Sequence, residues 1–273
     1  MIIDTHTHIT RRPNSKFAES FEKNVDLMLE EMKSAGVDTS LVIAWAGKDN
    51  ESRPSTRQLI NLTEGKSQLR VVAGVDMMNW QAEDLVELEG YLDKKQIVGV
   101  KFYTGYQHFY PSDERCLLIY KLCMKYNVPV IFHSGDTLAG VVPNPKLKYS
   151  HPLHVDEVAA DHPELKIVIA HMGNPWLVDC AEILYKNPNV YADVSGLVVE
   201  DELETPYGEM MRGRIRELIQ YVGSDYGSFK LMYGTDWPLC HMDIYVKFAK
   251  SLDLNKEQSD MLFFKNAQKV FCI

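Results

Sequence analysis

The sequence lacks any run of about eighteen apolar residues, which is the length that a membrane-spanning helix requires. It also lacks, at its N-terminus, the basic stretch followed by an apolar stretch that is typical of a secretory signal peptide. These two absences predict a cytoplasmic protein without a membrane partner.

An excess of basic residues is missing as well. The 273 residues include 29 lysines and arginines against 38 aspartates and glutamates, which gives a net charge of −9. Nucleic acids and anionic membranes bind positively charged surfaces. The charge balance therefore argues against both as partners and favours a small-molecule substrate.

Two further kinds of motif are absent. The five cysteines are odd in number and show no CxxC spacing, so we expect neither a disulfide framework nor a zinc knuckle. No GxGxxG follows an early strand, and no GxxxxGK[ST] occurs anywhere. Their absence argues against a doubly wound nucleotide-binding sheet, which is the alternative fold for this sequence pattern.

The chain does contain a regular alternation of apolar strand-length runs with segments of helical periodicity. The predicted strands cover residues 1–9, 39–46, 69–76, 97–103, 128–133, 165–171, 189–195 and 229–236. The predicted helices include residues 21–35, 82–94, 111–126, 153–161 and 209–222, with two more at 243–252 and 256–270. Eight such strands in a chain of this length predict an α/β fold, a (β/α)₈ TIM barrel that forms one domain over residues 1–273.

Ionisable side chains stand at the C-terminal ends of several predicted strands, where such a barrel carries its active site. His6 and His8 lie on one face of the first strand, because side chains alternate along a strand. The others are Lys101 on strand four, His133 on strand five, His171 on strand six and Asp236 on strand eight. Strand parity predicts that these groups converge. Three imidazoles and a carboxylate suit zinc, iron, manganese or cobalt better than calcium or magnesium.

A family resemblance supports this interpretation from one end of the chain to the other. The segments that carry it are IDTHTHI, GVKFYTGYQHFYPSDE, VPVIFHSGDT, HPELKIVIAHMGNPW, NVYADVSG, LMYGTDWP and KNAQKVF. In order and spacing they resemble the metal-dependent amidohydrolase superfamily, in its amidohydrolase 2 branch, which also holds aminocarboxymuconate semialdehyde decarboxylase and related non-oxidative decarboxylases.

The resemblance implies a role for each of these groups. His6, His8, His133 and Asp236 match the ligands of a single divalent metal ion, with zinc expected first and manganese, iron or cobalt as alternatives. His171 matches a histidine that acts on the substrate or on metal-bound water. A second metal ion is expected only if Lys101 is carboxylated. We favour an unmodified lysine that supplies positive charge or a hydrogen bond.

The implied activity is hydrolysis of a small ester, lactone or amide by metal-activated water. In this interpretation Asp236 accepts the proton of the water, and His171 holds the developing oxyanion or delivers a proton to the leaving group. The alternative is a non-oxidative decarboxylase that uses the same metal site on a small carboxylic acid. A metal-binding barrel without turnover is the third interpretation.

Substrate contacts are predicted for residues at the expected mouth of the site. Besides Lys101, these are Arg53, a candidate for binding a substrate carboxylate, and Trp237 and His241, which follow strand eight. Asp4 is expected to be structural, with support to a ligand histidine as a second role. A homodimer is expected from the family alone.

Overall fold

In the computed structural model, strands and helices alternate along the chain as the sequence predicts. The structure describes residues 1–12, 15–47, 51–199, 202–222 and 229–273. The strands are β1 (Ile3–Thr7), β2 (Thr39–Ile43), β3 (Leu69–Val75), β4 (Gly99–Phe102), β5 (Val130–Phe132), β6 (Ile167–Ile169), β7 (Val190–Asp193) and β8 (Leu231–Met232). They form one sheet in the order β1 to β8, and each strand is parallel to its neighbour.

The ends of the sheet meet, so the strands close into a barrel. The backbone N–H of Thr5 donates to the carbonyl of Tyr233 at 2.9 Å, and that of Asp236 donates to the carbonyl of His6 at 2.8 Å. The backbone N–H of His8 donates to the carbonyl of Trp237 at 2.7 Å. The chain therefore has the predicted (β/α)₈ barrel fold; its extent as one domain over residues 1–273 stays a prediction.

Helices surround the strands. They are α1 (Phe21–Ala35), α2 (Thr56–Thr63), α3 (Ala82–Asp93), α4 (Leu117–Tyr126), α5 (His154–Asp161), α6 (Leu177–Lys186), α7 (Pro206–Val222), α8 (Met242–Lys250), α9 (Lys256–Asp260) and α10 (Asn266–Phe271). Helix α1 begins where the Ser20 side chain accepts a hydrogen bond from the N–H of Lys23, and it ends at Gly36, whose φ is 73°. Both are common helix end signals. Among the described residues, no helix combines the length and the apolar character needed to cross a membrane.

Apolar side chains fill both sides of the strands. One cluster lies between the strands and the helices and includes Val130 and Phe132, whereas a second cluster includes Ile131 and Met232. This alternation places the side chain of Ile131 inside the barrel, and His133, two residues further, points the same way. The alternation of side chains along each strand thus places polar side chains at the C-terminal mouth of the barrel.

Three helical regions differ in kind from the predicted elements. Helix α2 was not predicted, because Leu59 is its only fully buried side chain and its apolar stripe is short. The helix predicted from residue 111 begins as a 3₁₀ helix at Glu114–Cys116. The predicted helix over 256–270 contains a π-helical turn, Met261–Lys265, in which the carbonyl of Leu262 accepts a hydrogen bond from the N–H of Tyr233 at 2.8 Å.

Candidate active site at the barrel mouth

A cavity opens at the C-terminal ends of the strands. Seven of the nine side chains predicted for the site line it, namely His6, His8, Arg53, Lys101, His133, His171 and Asp236. Apart from Thr10 and Arg12, the remaining walls are aromatic or aliphatic and include Trp45, Tyr106 and Leu138. The cavity thus combines a polar floor with apolar walls, as small-molecule sites commonly do.

His6 is oriented by a carboxylate at the end of β7. Its Nδ1 lies 2.9 Å from Oδ2 of Asp193, and both side chains are almost fully buried. A carboxylate accepts a hydrogen from Nδ1, which leaves Nε2 with a lone pair. That Nε2 lies 3.8 Å from Oδ1 of Asp236.

His8 presents the same ring atom to the same carboxylate. Its Nδ1 lies 3.1 Å from the carbonyl oxygen of Ile43, which can only accept, and its Nε2 lies 3.4 Å from Oδ1 of Asp236. Burial, together with the nearby His6 and Lys101, holds the pKa of His8 well below its usual value. The imidazole is therefore neutral at neutral pH, which is the state that binds a metal.

These three residues fit a divalent metal ion. The ligand atoms of His6, His8 and Asp236 all lie within 4.8 Å of one another. A tetrahedral zinc ion with bonds of roughly 2.0–2.1 Å spaces its ligand atoms roughly 3.3 Å apart, close to the distance between His8 and Asp236. Two nitrogen donors and one carboxylate are also the chemistry that such ions favour.

Asp236 owes its position to an unusual backbone conformation. Its φ is 63°, a left-handed value that is uncommon for residues other than glycine. The backbone N–H of Asp236 donates to the carbonyl oxygen of His6, and the carbonyl oxygen of Asp236 accepts from the N–H of Leu239 at 2.8 Å. These bonds compensate for the strain, and such strain is often found at functional sites.

His133 lines the cavity but lies outside this group of three. Its Nε2 is hydrogen-bonded to the carbonyl of Asp136 at 2.9 Å, and its ring centroid lies 5.1 Å from that of His171. Burial, with the charges of His171 and Lys101, holds the pKa of His133 well below its usual value.

His171 is held by Ser195 and Asp193. Its φ is 58°, and its N–H donates to Oδ1 of Asp193 at 3.0 Å. Its Nδ1 lies 3.1 Å from the carbonyl and 2.9 Å from the hydroxyl oxygen of Ser195. Burial, followed by the neighbouring His6, lowers the pKa of His171 to about 4. Its ring centroid lies 4.6 Å from that of His6, so it borders the three-residue group.

Lys101 lies beneath the histidines and is only 1% exposed. Its Nζ is 3.5 Å from Nε2 of His6. Burial lowers the pKa of Lys101 to about 8, although the charges of Asp193 and Asp236 oppose the shift. The amine therefore carries most of its positive charge at pH 7.

The four predicted substrate contacts have different positions. Lys101 and Arg53 line the cavity, and the guanidinium carbon of Arg53 lies 4.0 Å from the ring centroid of Trp45. Trp237, in contrast, is fully buried and packs edge-on against Phe17. Its position directly after Asp236 suggested a substrate contact, but Trp237 is not among the residues that line the cavity.

His241 also lies outside the residues that line the cavity. It stands at the start of α8, and its Nδ1 is 3.0 Å from Oε1 of Glu31 on α1. We therefore leave Trp237 and His241 out of the proposed substrate contacts.

Sequence reasoning gave no role to Asp193 or Ser195, although they contact two of the histidines. The sequence did contain a signal for Asp193, because it ends an apolar strand as the other site residues do.

Asp4 was predicted to be structural. It accepts hydrogen bonds from the N–H of Thr235 at 3.0 Å, from its hydroxyl at 2.7 Å and from the N–H of His6 at 3.2 Å.

The comparisons with known proteins agree with this fold. A family model described as amidohydrolase matches residues 3–273. No curated protein matches the chain. Among solved structures, an uncharacterised TIM-barrel protein from Bordetella bronchiseptica is 20% identical with a TM-score of 0.74, over 99% of this chain and 98% of that one.

Two other similar structures carry functional names. A structure named as a probable 2-pyrone-4,6-dicarboxylic acid hydrolase, from Acinetobacter baumannii with citric acid bound, is 17% identical with a TM-score of 0.69, over 100% of this chain and 99% of that one. A 5-carboxyvanillate decarboxylase from Novosphingobium aromaticivorans, complexed with manganese and a nitrobenzoic acid, is 14% identical with a TM-score of 0.71, over 100% and 96% of the two chains.

Proposed function

The chain belongs to the amidohydrolase family, and we propose that it is a metal-dependent hydrolase of a small carbonyl compound, an ester, lactone or amide. The observation that carries this proposal is the common orientation of His6 and His8. Each donates from Nδ1 to an oxygen acceptor, so each turns Nε2 towards the carboxylate of Asp236. Location in the cytoplasm and assembly into a homodimer stay predictions.

We infer a single divalent metal ion held by His6, His8 and Asp236, with zinc as the first expectation. His133 stays the proposed fourth ligand, and binding through Nε2 requires it to give up its hydrogen bond to Asp136. Manganese in the similar decarboxylase supports the general class of metal. A second ion is proposed only if Lys101 is carboxylated.

The metal ion, when bound, polarises a carbonyl group and lowers the pKa of water towards 7. The proton of the attacking water goes to Asp236 or to the neighbouring His171, and His171 then delivers a proton to the leaving group. Lys101, buried and cationic, stabilises negative charge that develops near His6. Aromatic and aliphatic walls exclude bulk water, which strengthens each of these interactions.

The proposed substrate is small and anionic. Arg53 lies in the cavity wall with its guanidinium group over the ring of Trp45, and burial lowers its pKa. A guanidinium group binds a carboxylate through two parallel hydrogen bonds. The named neighbours act on compounds with carboxyl groups. A carboxylate at Arg53 would place the rest of a short substrate between Trp45 and the histidines.

Non-oxidative decarboxylation is the second candidate, because the same cavity supports it and one similar structure is a decarboxylase. In that reaction a carbon–carbon bond breaks, carbon dioxide leaves and a proton takes its place on carbon. The two activities differ in water consumption, so a substrate found by panel screening distinguishes them. Incorporation of ¹⁸O from labelled water into the product supports hydrolysis, and release of carbon dioxide without incorporation supports decarboxylation.

Metal analysis tests the site before a substrate is known. We expect about one equivalent of metal per chain in protein purified without a tag, and its loss in His8→Ala. Lys101→Met is the matched comparison, since a single-metal site held by His6, His8 and Asp236 keeps its equivalent in this variant. Two equivalents in wild type, falling in Lys101→Met, would replace the proposal by a binuclear site. No metal after reconstitution with zinc or manganese would reject it.

A further inference from the structure

The segment Asp193–Gly196, which we call the DVSG segment, forms hydrogen bonds to two of the site residues, His6 and His171. The carboxylate of Asp193 accepts from Nδ1 of His6 and from the N–H groups of His171 and Ser195 at 3.0 and 3.1 Å. It also accepts from the hydroxyl group of Ser195. A buried carboxylate with four donors is rigidly fixed, so its partners are fixed as well.

These bonds determine which nitrogen of His171 carries the hydrogen. The carbonyl oxygen of Ser195 can only accept, and it lies 3.1 Å from Nδ1 of His171. The hydroxyl hydrogen of Ser195 goes to Asp193, so the hydroxyl oxygen, 2.9 Å from the same Nδ1, also acts as an acceptor. Both neighbours therefore require a hydrogen on Nδ1, which leaves Nε2 with a lone pair.

Gly196 allows the segment to pass this close. Its φ is 63°, and a Cβ atom there would lie 3.3 Å from Oδ2 of Asp236 and 3.5 Å from Nδ1 of His171. A side chain would thus press on both groups and adopt a strained backbone conformation. The close approach of the segment to His171 depends on this glycine.

We propose that Ser195 and Asp193 are positioning residues that fix the Nδ1–H tautomer of His171 and so make its Nε2 the proton acceptor of the reaction. This inference rests on the proposed function, because it assigns one step of the same chemistry. The O–H bond of the attacking water breaks, its electron pair stays on oxygen, and the proton forms a bond to Nε2. The imidazolium then returns the proton to the leaving group. Its charge is stabilised by the Ser195 oxygens and, through them, by Asp193.

The tautomer can be measured without a substrate. Long-range ¹H–¹⁵N correlation spectra of metal-free protein labelled with ¹⁵N-histidine distinguish protonated from unprotonated ring nitrogens. The His171 signals are identified by their absence in His171→Gln. We expect a protonated Nδ1 and an unprotonated Nε2 in wild type, and a detectable share of the Nε2–H form in Ser195→Ala, which loses one acceptor. A purely structural serine would not change the tautomer.

Ser40→Ala is the matched control. The Ser40 hydroxyl is fully buried in β2 and has no hydrogen-bond partner among the described residues, so its removal should leave the His171 signals unchanged. With an active substrate, Ser195→Ala should lower kcat about 10–100-fold at nearly constant KM. An Nε2–H form in wild type overturns the proposal even if Ser195→Ala does not fold, and so does an unchanged tautomer in Ser195→Ala. Neither result affects the metal content that tests the proposed function.

Discussion

A single buried carboxylate, Asp193, bonds to both His6 and His171. Burial alone would raise the pKa of Asp193, but the neighbouring His6 and His171 and the Ser195 hydroxyl hold it well below its usual range. The group is therefore an anion at every pH at which the protein is expected to work. An anion beside Nδ1 keeps the hydrogen there and raises the basicity of Nε2, which strengthens a metal ligand.

Replacing this carboxylate should weaken metal binding. In Asp193→Asn the negative charge is lost. The amide NH₂ group, which is a donor, can also occupy the position of the oxygen that accepts from Nδ1 of His6. We expect the affinity for zinc to fall about 10–100-fold, measured by competition with a chromophoric chelator. Asp26→Asn, an exposed change on α1, is the control. Equal affinities in all three proteins would mean that Asp193 does not support a ligand.

Asp4 gives the fold a distinct pH dependence. Burial raises the pKa of Asp4 from 3.8 to about 7, although hydrogen bonds from Thr235 and His6 oppose the shift. A carboxyl group whose pKa is raised on folding adds stability that is fully present below pH 3.8. This stability is lost as the pH rises through about 7.

Asp4→Asn removes this titration. The free energy of unfolding of wild type minus that of Asp4→Asn should fall by about 4 kcal/mol between pH 4 and pH 8, at roughly 1.4 kcal/mol per pKa unit. Urea denaturation of metal-free protein across this range measures the difference. A difference that stays constant with pH would show that Asp4 has an ordinary pKa in the folded protein.

Among the elements, β2 and β3 approach each other at a position that only glycine permits. A Cβ atom on Gly74 would lie 2.4 Å from the carbonyl oxygen of Ala44 and 2.5 Å from that of Trp45. Gly74→Ala should therefore destabilise the protein by about 2 kcal/mol or more, as measured by urea denaturation. It should also move Trp45, which lines the cavity.

Gly90, in contrast to Gly74, is a glycine whose replacement by alanine meets no steric obstacle. It lies inside helix α3, and a Cβ atom there meets nothing within 4 Å. Gly90→Ala should stabilise the protein by about 0.5–1 kcal/mol, because alanine favours a helix more than glycine does. Similar effects of the two substitutions would contradict the steric argument for Gly74.

Local signals explain which elements the sequence could predict. Helix α1 was predicted with the observed bounds, because its apolar spacing and its end at Gly36 are set by residues that are close together in sequence. The π-helical turn was not, because it involves a carbonyl bound to Tyr233, which is distant in sequence. The same applies to the site. Strand parity predicted His6 and His8, whereas Asp193 acts on a partner 187 positions away.

At the scale of the whole molecule, the proposed ligands join the two ends of the barrel sheet. His6 and His8 belong to β1 and its exit, and Asp236 follows β8. A bound metal ion therefore links the first and last strands across the seam where β8 contributes only two strand residues. We expect chelation to destabilise the whole fold rather than the cavity alone.

This expectation is tested by thermal unfolding with and without a strong chelator. A metal ion present at about 1,000 times its Kd stabilises the folded state by about 4 kcal/mol, which for a chain of this size corresponds to a Tm higher by roughly 8 °C. Chelation should remove this increment from wild type. In His8→Ala, which lacks one ligand, the Tm should be nearly the same with and without chelator. If wild type loses no stability on chelation, or His8→Ala loses as much, the stabilising ion does not join β1 to the end of β8.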